Sequence, residues 1–135
     1  MPVGTPRIKV LSTRSYGAEV IVHGEAFDDA CDLALQLAET RGLTFVHPFD
    51  DPAVIAGQGT IAREIFSQAI CSGIDAVICP VGGSGLISGV ATYIKETDPS
   101  IEVVGVEAAS IASLKAAIEQ GGPVQLPAAH PRRRN

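Results

Sequence analysis

The chain has 135 residues and a formal net charge of −5, and 46% of its residues are hydrophobic against 19% that are charged. This length suits one domain with an ordinary core, and the composition excludes a disordered or collagen-like chain. The acidic balance argues against nucleic acid as a partner, because neutralising phosphates requires clustered Lys and Arg. The arginines at 132–134 are a local exception, which we interpret as a solvated tail.

The cysteines and the apolar runs exclude further classes of protein. Cys31, Cys71 and Cys79 are widely spaced, with no Cys-x-x-Cys pair and no histidine cluster beside them. Neither a disulfide framework nor a zinc site is indicated, and we expect reduced core residues. No charged-then-apolar leader opens the chain, and no apolar run approaches the roughly 20 residues of a membrane span. We therefore expect a cytoplasmic protein with no membrane partner.

Strands and helices are predicted to alternate along the chain. Runs rich in Val and Ile predict buried strands, and apolar residues at helical spacing between capping signals predict helices. The predicted strands are 19–23, 43–46, 74–79 and 101–106, and the predicted helices are 27–40, 58–72, 86–97 and 113–120. This alternation predicts an α/β fold with an open, mostly parallel sheet, flanking helices and right-handed crossovers.

A glycine-rich turn separates the third predicted strand from the helix that follows it. The turn reads Pro80-Val81-Gly82-Gly83-Ser84-Gly85-Leu86. Glycines let the backbone approach a phosphate closely, and the first amide groups of the following helix have no partner within the helix. The pattern therefore predicts an anion socket at 82–86. The alternative is a tight strand-to-helix connection without a ligand.

The turn matches neither of two common nucleotide-binding motifs. A dinucleotide fingerprint read from Gly83 requires a third glycine where Ser88 stands. A Walker loop ends in Gly-Lys-Ser/Thr, and no lysine lies between Lys9 and Lys95. A dinucleotide-binding protein and a standard nucleotide triphosphatase are therefore excluded.

Several segments resemble, in order and spacing, one family of enzymes. They are GAEVIVHG at 17–24, HPFDD at 47–51, VIAGQGT at 54–60, the glycine turn, VGVE at 104–107, SLKAA at 113–117 and GPVQLP at 122–127. Together they are similar to the pyridoxal-phosphate-dependent threonine dehydratases, or threonine ammonia-lyases, of the biosynthetic type. The resemblance covers residues 1–127.

The resemblance implies a fold and an organisation. The chain would have a partial fold of the tryptophan-synthase-β-like, or type II, pyridoxal-phosphate enzymes. Residues 1–45 would belong to the small domain and its linking helix, and residues 46–127 to the large cofactor-binding domain. Residues 128–135 are a tail that does not resemble the family.

The resemblance also implies an activity. These enzymes deaminate threonine or serine to an α-keto acid and ammonia, in a step of isoleucine biosynthesis. By the family's pattern, five residues hold the cofactor's phosphate: Gly82, Gly83, Ser84, Gly85 and Leu86. Replacing Gly83 by Asp should then abolish anion binding. Ser84 stands where the family has glycine, so its backbone angle must suit a residue with a Cβ.

Two family motifs are missing from the sequence. They are Ser-x-Lys-x-Arg-Gly, with the Schiff-base lysine, and Ser-x-Gly-Asn-His. Lys115 stands in Ser-Leu-Lys-Ala, without the Arg-Gly, and is not expected to be catalytic. We therefore expect an internal fragment that is inactive alone, with no catalytic residue of its own. Its expected partner is another copy of the chain or the missing catalytic half.

Other polar residues have both functional and structural interpretations. His47 and Asp50 resemble a segment that lies near the cofactor in the family, although a histidine at a strand end is more often structural. Gln58 and Thr60 are predicted to cap a helix. Some relatives bind a metal through the glutamate at position 107 and an aspartate six residues on, where this chain has Ser113. No metal is therefore expected.

Two further functions stay open at this point. The chain could be a non-catalytic phosphate-binding or assembly module that retains the fold, or a remnant without function. Ligand binding without cofactor chemistry would favour the module, and a co-expressed chain that bears the lysine motif would favour the enzyme.

Overall fold

A computed structural model describes residues 1–69, 73–124 and 126. Its elements are α1 (Arg7–Ser15), α2 (Phe27–Arg41), α3 (Pro52–Gln68), β1 (Ala76–Pro80), α4 (Gly85–Thr97), β2 (Glu102–Val106), a 3-10 turn (Ala109–Ile111) and α5 (Ser113–Gln120). The chain divides into two compact units, Met1–Val46 and His47–Asn135. The predictions for Cys71, for the arginines at 132–134 and for the tail at 128–135 lie outside the described residues. The assignment of segments to the family's small and large domains stays a prediction.

The first unit contains α1 and α2. The helix predicted at 27–40 is confirmed as α2, and its first turn is stabilised by Asp29. The Asp29 carboxylate accepts hydrogen bonds from the amides of Ala26 (3.0 Å) and Glu25 (2.8 Å). These two bonds hold the pKa of Asp29 below its usual range. The helix ends at Gly42, whose φ of 64° suits glycine. Helix α1 was not predicted, and none of its residues is buried.

The predictions of strands at 19–23 and 43–46 are wrong, because no regular strand forms in either stretch. Around the first stretch, the amide of His23 donates to the Met1 carbonyl and the amide of Val3 donates to the Gly24 carbonyl, both at 2.8 Å. A regular ladder requires a neighbouring strand along several residues. Val and Ile favour an extended backbone, but they do not supply that neighbour.

The second unit contains a parallel pair of strands. β1 and β2 pair in register from Ala76 opposite Glu102 to Pro80 opposite Val106, and α4 lies between them in the chain. The predicted parallel pairing is therefore confirmed. Among the described residues the sheet has these two strands. The predicted helix at 113–120 is confirmed as α5, and α4 begins one residue before its predicted start.

The core of the second unit lies where α3 packs on α4 and α4 packs on the strands. Its buried residues are Ala62, Cys79, Val90, Ile94 and Ile101. The two helices approach most closely at a pair of glycines, because a Cβ on Gly89 would lie 2.7 Å from the Gly59 amide nitrogen and would overlap the Ile55 carbonyl oxygen. Only glycine allows this approach.

Helix α3 begins six residues before its predicted start. Asp51 caps it by accepting hydrogen bonds from the amides of Ala53 (2.8 Å) and Val54 (3.1 Å), and Pro52 occupies its first position. The prediction that Gln58 and Thr60 cap the helix is wrong, since both lie within it. Of the described helices, none is long and apolar enough to cross a membrane.

Candidate functional site

The predicted anion site lies between β1 and α4, at the end of the parallel pair. The amide of Val81 donates to the Val106 carbonyl at 2.8 Å and so continues the ladder one residue beyond the strand. The first helical hydrogen bond of α4 is donated by the Ser88 amide to the Ser84 carbonyl, at 2.9 Å. The three amides at 85–87 precede it and have no acceptor along the helix. The structure therefore has the predicted strand, loop and helix start, with amide donors at the tip.

Ser84 holds an unusual backbone conformation in this loop. Its φ is 67° and its ψ is −9°, and among the described residues it is the one non-glycine with positive φ. The left-handed region brings a Cβ too close to the following carbonyl oxygen and costs about 1–2 kcal/mol. The serine side chain makes no capping hydrogen bond to offset this cost. The loop therefore contains strain at Ser84, the position where the resemblance implies a glycine.

Phe49 packs against the glycines on both sides of Ser84. A Cβ on Gly83 would overlap carbons of the Phe49 ring, and a Cβ on Gly85 would lie 2.6 Å from the Phe49 carbonyl oxygen. Gly82, in contrast, has no atom within 4 Å of its Cβ position and an ordinary φ. The expected effect of Gly83→Asp therefore needs correction, because that change would displace Phe49 as well as add a charge. A substitution at Gly82 adds a charge beside the loop without displacing a neighbouring atom, so it tests anion binding directly.

His47 shapes the turn that contains Phe49. Its Nδ1 accepts hydrogen bonds from the amides of Asp50 (2.8 Å) and Phe49 (3.4 Å). The His47 ring also meets the Phe49 ring edge to face, with centroids 4.7 Å apart. These contacts agree with the structural interpretation of His47. Asp50 contributes its backbone amide as a hydrogen-bond donor to His47.

Glu107 follows β2 and caps α5. Its two carboxylate oxygens accept hydrogen bonds from the amides of Leu114 and Lys115, each at 2.9 Å. These bonds hold the pKa of Glu107 below its usual range, and the bond from Leu114 has the largest effect. Further bonds from Lys115 and Ser113 act in the same direction, whereas desolvation opposes them. Within the described part of the chain, no group of three or more His, Cys, Asp or Glu side chains could hold a metal.

The side chain of Lys115 lies on the outside of α5. It is 73% exposed, and its Nζ is 3.8 Å from Glu119 Oε1 on the same helix. Cys31 and Cys79 are free thiols, and burial raises the pKa of the Cys79 thiol. Sequence reasoning did not find Phe49 as part of this site, although it stands inside the HPFDD segment whose His and Asp it singled out.

Comparison with known proteins identifies the family. A family model described as pyridoxal-phosphate dependent enzyme matches residues 1–133. The chain belongs to this family. The expected resemblance and the type II fold class are therefore confirmed.

Individual relatives agree with the family match. The L-threonine ammonia-lyase of Geobacter sulfurreducens is 47% identical over 127 residues, which are 94% of this chain and 31% of that protein. The biosynthetic L-threonine dehydratase IlvA of Salmonella typhimurium is 52% identical over 127 residues, or 94% of this chain and 24% of that protein. The processed threonine deaminase isoform 2 of Solanum lycopersicum has the same fold, with a TM-score of 0.83 and 46% identity over 93% of this chain and 36% of that one. The chain thus spans about a quarter to a third of these curated relatives.

Proposed function

We propose that this chain carries the phosphate-binding part of a pyridoxal-phosphate-dependent threonine ammonia-lyase. One observation supports this above the others: a glycine loop ends a parallel strand and presents the amides of Gly85, Leu86 and Ile87, which have no acceptor along α4. The family match supports pyridoxal phosphate as the source of the anion, since the cofactor of that family carries a phosphate group. The names of the relatives support threonine as the substrate class of the whole enzyme.

The loop residues would hold the phosphate through their backbone. The amides of Gly82, Gly83, Ser84, Gly85 and Leu86 would donate to its oxygens, and the positive end of α4 would favour its charge. The Ser84 hydroxyl, which caps nothing, is a further donor within the loop. When bound, the cofactor would withdraw electrons from the α-carbon of the amino acid.

No lysine of this chain stands in the family's lysine motif. Lys95 has a structural role, because its Nζ donates to the carbonyls of Pro99 (3.0 Å) and Ile101 (2.6 Å) and joins the end of α4 to the start of β2. Lys115 pairs with Glu119, and Lys9 lies on α1. We infer that the reactive amine comes from a part of the enzyme outside this sequence and that the chain is inactive alone. The cytoplasmic location stays a prediction.

A second candidate is a non-catalytic phosphate-binding or assembly module. The observation that favours it is that the 135 residues contain neither of the two family motifs, Ser-x-Lys-x-Arg-Gly and Ser-x-Gly-Asn-His. Mixing the chain with a polypeptide that bears the lysine motif distinguishes the two functions. Keto-acid production from threonine in the mixture supports the enzyme, and phosphate binding without any turnover in the mixture supports the module.

The anion site itself is tested by titrating inorganic phosphate and pyridoxal phosphate while following backbone amide resonances. We expect shifts centred on residues 82–87 in the unaltered chain. Gly82→Asp should abolish them, because its carboxylate occupies open space beside the donors. The control is Gly82→Asn, which has the same shape without the charge and should keep most of the binding. Equal shifts in the Asp and Asn variants, or shifts centred elsewhere, would refute the site.

A further inference from the structure

The glycine loop is held in place by a residue from a different part of the chain. Phe49 lies in the turn before α3, yet it fills the space beside Gly83 and touches the backbone of Gly85, the first residue of α4. These two glycines flank Ser84, which keeps a left-handed conformation that is unfavourable for a residue with a Cβ. Such strain persists only where the surrounding structure enforces it.

Phe49 is itself fixed on both sides. On one side, His47 contacts its ring and accepts the hydrogen bond from its amide. On the other side, Asp51 caps α3, and α3 packs against α4 where Gly59 meets Gly89. The segment that carries Phe49 therefore leads directly into α3, which packs on the helix that follows the loop.

We propose that Phe49 is a positioning residue for the anion site. Its ring packs beside Gly83 and its backbone packs beside Gly85, so that Ser84 stays left-handed and the loop amides converge on one anion. The effect on the anion rests on the proposed function, whereas the packing of Phe49 against the loop can be tested without any ligand.

A double-mutant cycle tests the packing. Gly83→Ala should lower the urea midpoint strongly, because its Cβ overlaps the Phe49 ring. In a Phe49→Ala background the ring is gone, so adding Gly83→Ala should lower the midpoint little further. The midpoint is read from the amide resonances of Val90 and Ile94, which are buried in the same unit.

Gly85→Ala is the matched control for this cycle. Its Cβ would meet the Phe49 carbonyl oxygen at 2.6 Å and the Phe49 Cα at 2.9 Å, and both atoms remain in Phe49→Ala. Its penalty should therefore be equal in the two backgrounds. Equal penalties for Gly83→Ala in the two backgrounds would overturn the proposed packing.

Phosphate titration tests the positioning effect. Phe49→Leu should lower the phosphate affinity by about tenfold, since affinity falls with the fraction of molecules that hold the competent loop. Phe49→Tyr keeps the ring and should keep the affinity. The control is Phe66→Leu, the same change at a ring that packs on Tyr93 in the core. It should lower the urea midpoint and leave the affinity within about twofold.

The possible results separate the two proposals. An unchanged or increased affinity in Phe49→Leu would overturn the positioning role, because the ring would then be irrelevant to the anion or block it. If the unaltered chain binds no phosphate while the cycle shows coupling, the proposed function fails and the packing role of Phe49 stands. If the chain binds phosphate but the cycle shows no coupling between Phe49 and Gly83, the anion site stands and the proposed role of Phe49 in it is overturned.

Discussion

At the scale of single residues, Ser84 provides a direct measure of strain in the loop. Ser84→Gly removes the crowded Cβ, worth about 1–2 kcal/mol, and adds freedom to the unfolded chain, worth about 0.4–1 kcal/mol. We therefore expect the variant to be more stable by about 0.5–1 kcal/mol in urea denaturation. Ser88→Gly, an exposed site inside α4, should instead destabilise by about 0.5 kcal/mol. Destabilisation by both changes would contradict the strain at Ser84.

Glu107 makes the attachment of α5 dependent on pH. The pKa of Glu107 in the folded chain lies below its usual range because the carboxylate accepts amide hydrogen bonds. The bond from Leu114 has the largest effect. The contribution of Glu107 to stability is therefore present above the ordinary glutamate pKa, about 4.3, and is lost as the pH falls through the lower folded value. The amide resonances of Leu114 and Lys115 should move together in that acidic range. In Glu107→Gln this titration should disappear, and its persistence there would assign it to another group.

At the scale of elements, two glycines of the α3–α4 pair should respond in opposite directions to the same change. Gly89→Ala places a methyl group against the backbone of α3 and should destabilise the unit by about 2 kcal/mol or more. Gly57→Ala lies on the exposed side of α3, with no atom within 4 Å of its Cβ position. It should stabilise the helix by about 0.5–1 kcal/mol. Urea midpoints decide the matter, and similar effects at both sites would refute the close helix approach.

The elements that sequence could predict are those whose signals are local. The apolar spacing and stop signals of α2, α4 and α5 lie within each helix. Helix α1 is short and mostly polar, and none of its residues is buried. The strands predicted at 19–23 and 43–46 depended on pairing partners that only tertiary structure supplies. Asp51 before Pro52 is the local signal for the early start of α3, whereas Gly57 and Gly59 are residues that weaken a helix.

The same limit applies to the site. The glycine loop is a continuous pattern, so its strand, turn and helix could be predicted from consecutive residues. The contact of Phe49 with Gly83 and Gly85 joins distant positions, and so does the capping of α5 by Glu107. Periodicity and spacing carry no signal for either contact. What sequence missed at the site is therefore what holds the loop in place rather than the loop itself.

At the scale of the whole molecule, we expect the purified chain not to deaminate threonine when pyridoxal phosphate is supplied. The loop is proposed to bind the phosphate of the cofactor and supplies no reactive amine. The Lys95 amine donates hydrogen bonds to two carbonyl groups. A keto-acid assay measures this, with an intact threonine ammonia-lyase as the positive control. Turnover by the chain alone would contradict the proposal that the reactive amine lies outside this sequence.

We also expect the chain to associate in solution. One face of the strand pair packs on the core through Val77 and Val103, whereas Ile78 and Val106 on the other face are 69% and 54% exposed. Exposed apolar sheet surface favours contact with a second molecule. Light scattering should show a dimer or larger species.

The association should depend on the exposed face of the sheet. Ile78→Lys should shift the distribution towards the monomer. Ile8→Lys is the control, because Ile8 is 75% exposed on α1 in the other unit, and it should have no such effect. A monomer at all concentrations of the unaltered chain would refute the expectation.

The order of elements in the second unit has a consequence for how the chain folds. α3 packs on the next helix along the chain, and β1 pairs with β2 across that single helix. Contacts between neighbouring elements of the chain require less loop closure than contacts between distant ones. Residues 52–106 can therefore acquire their core in the order in which a ribosome releases them.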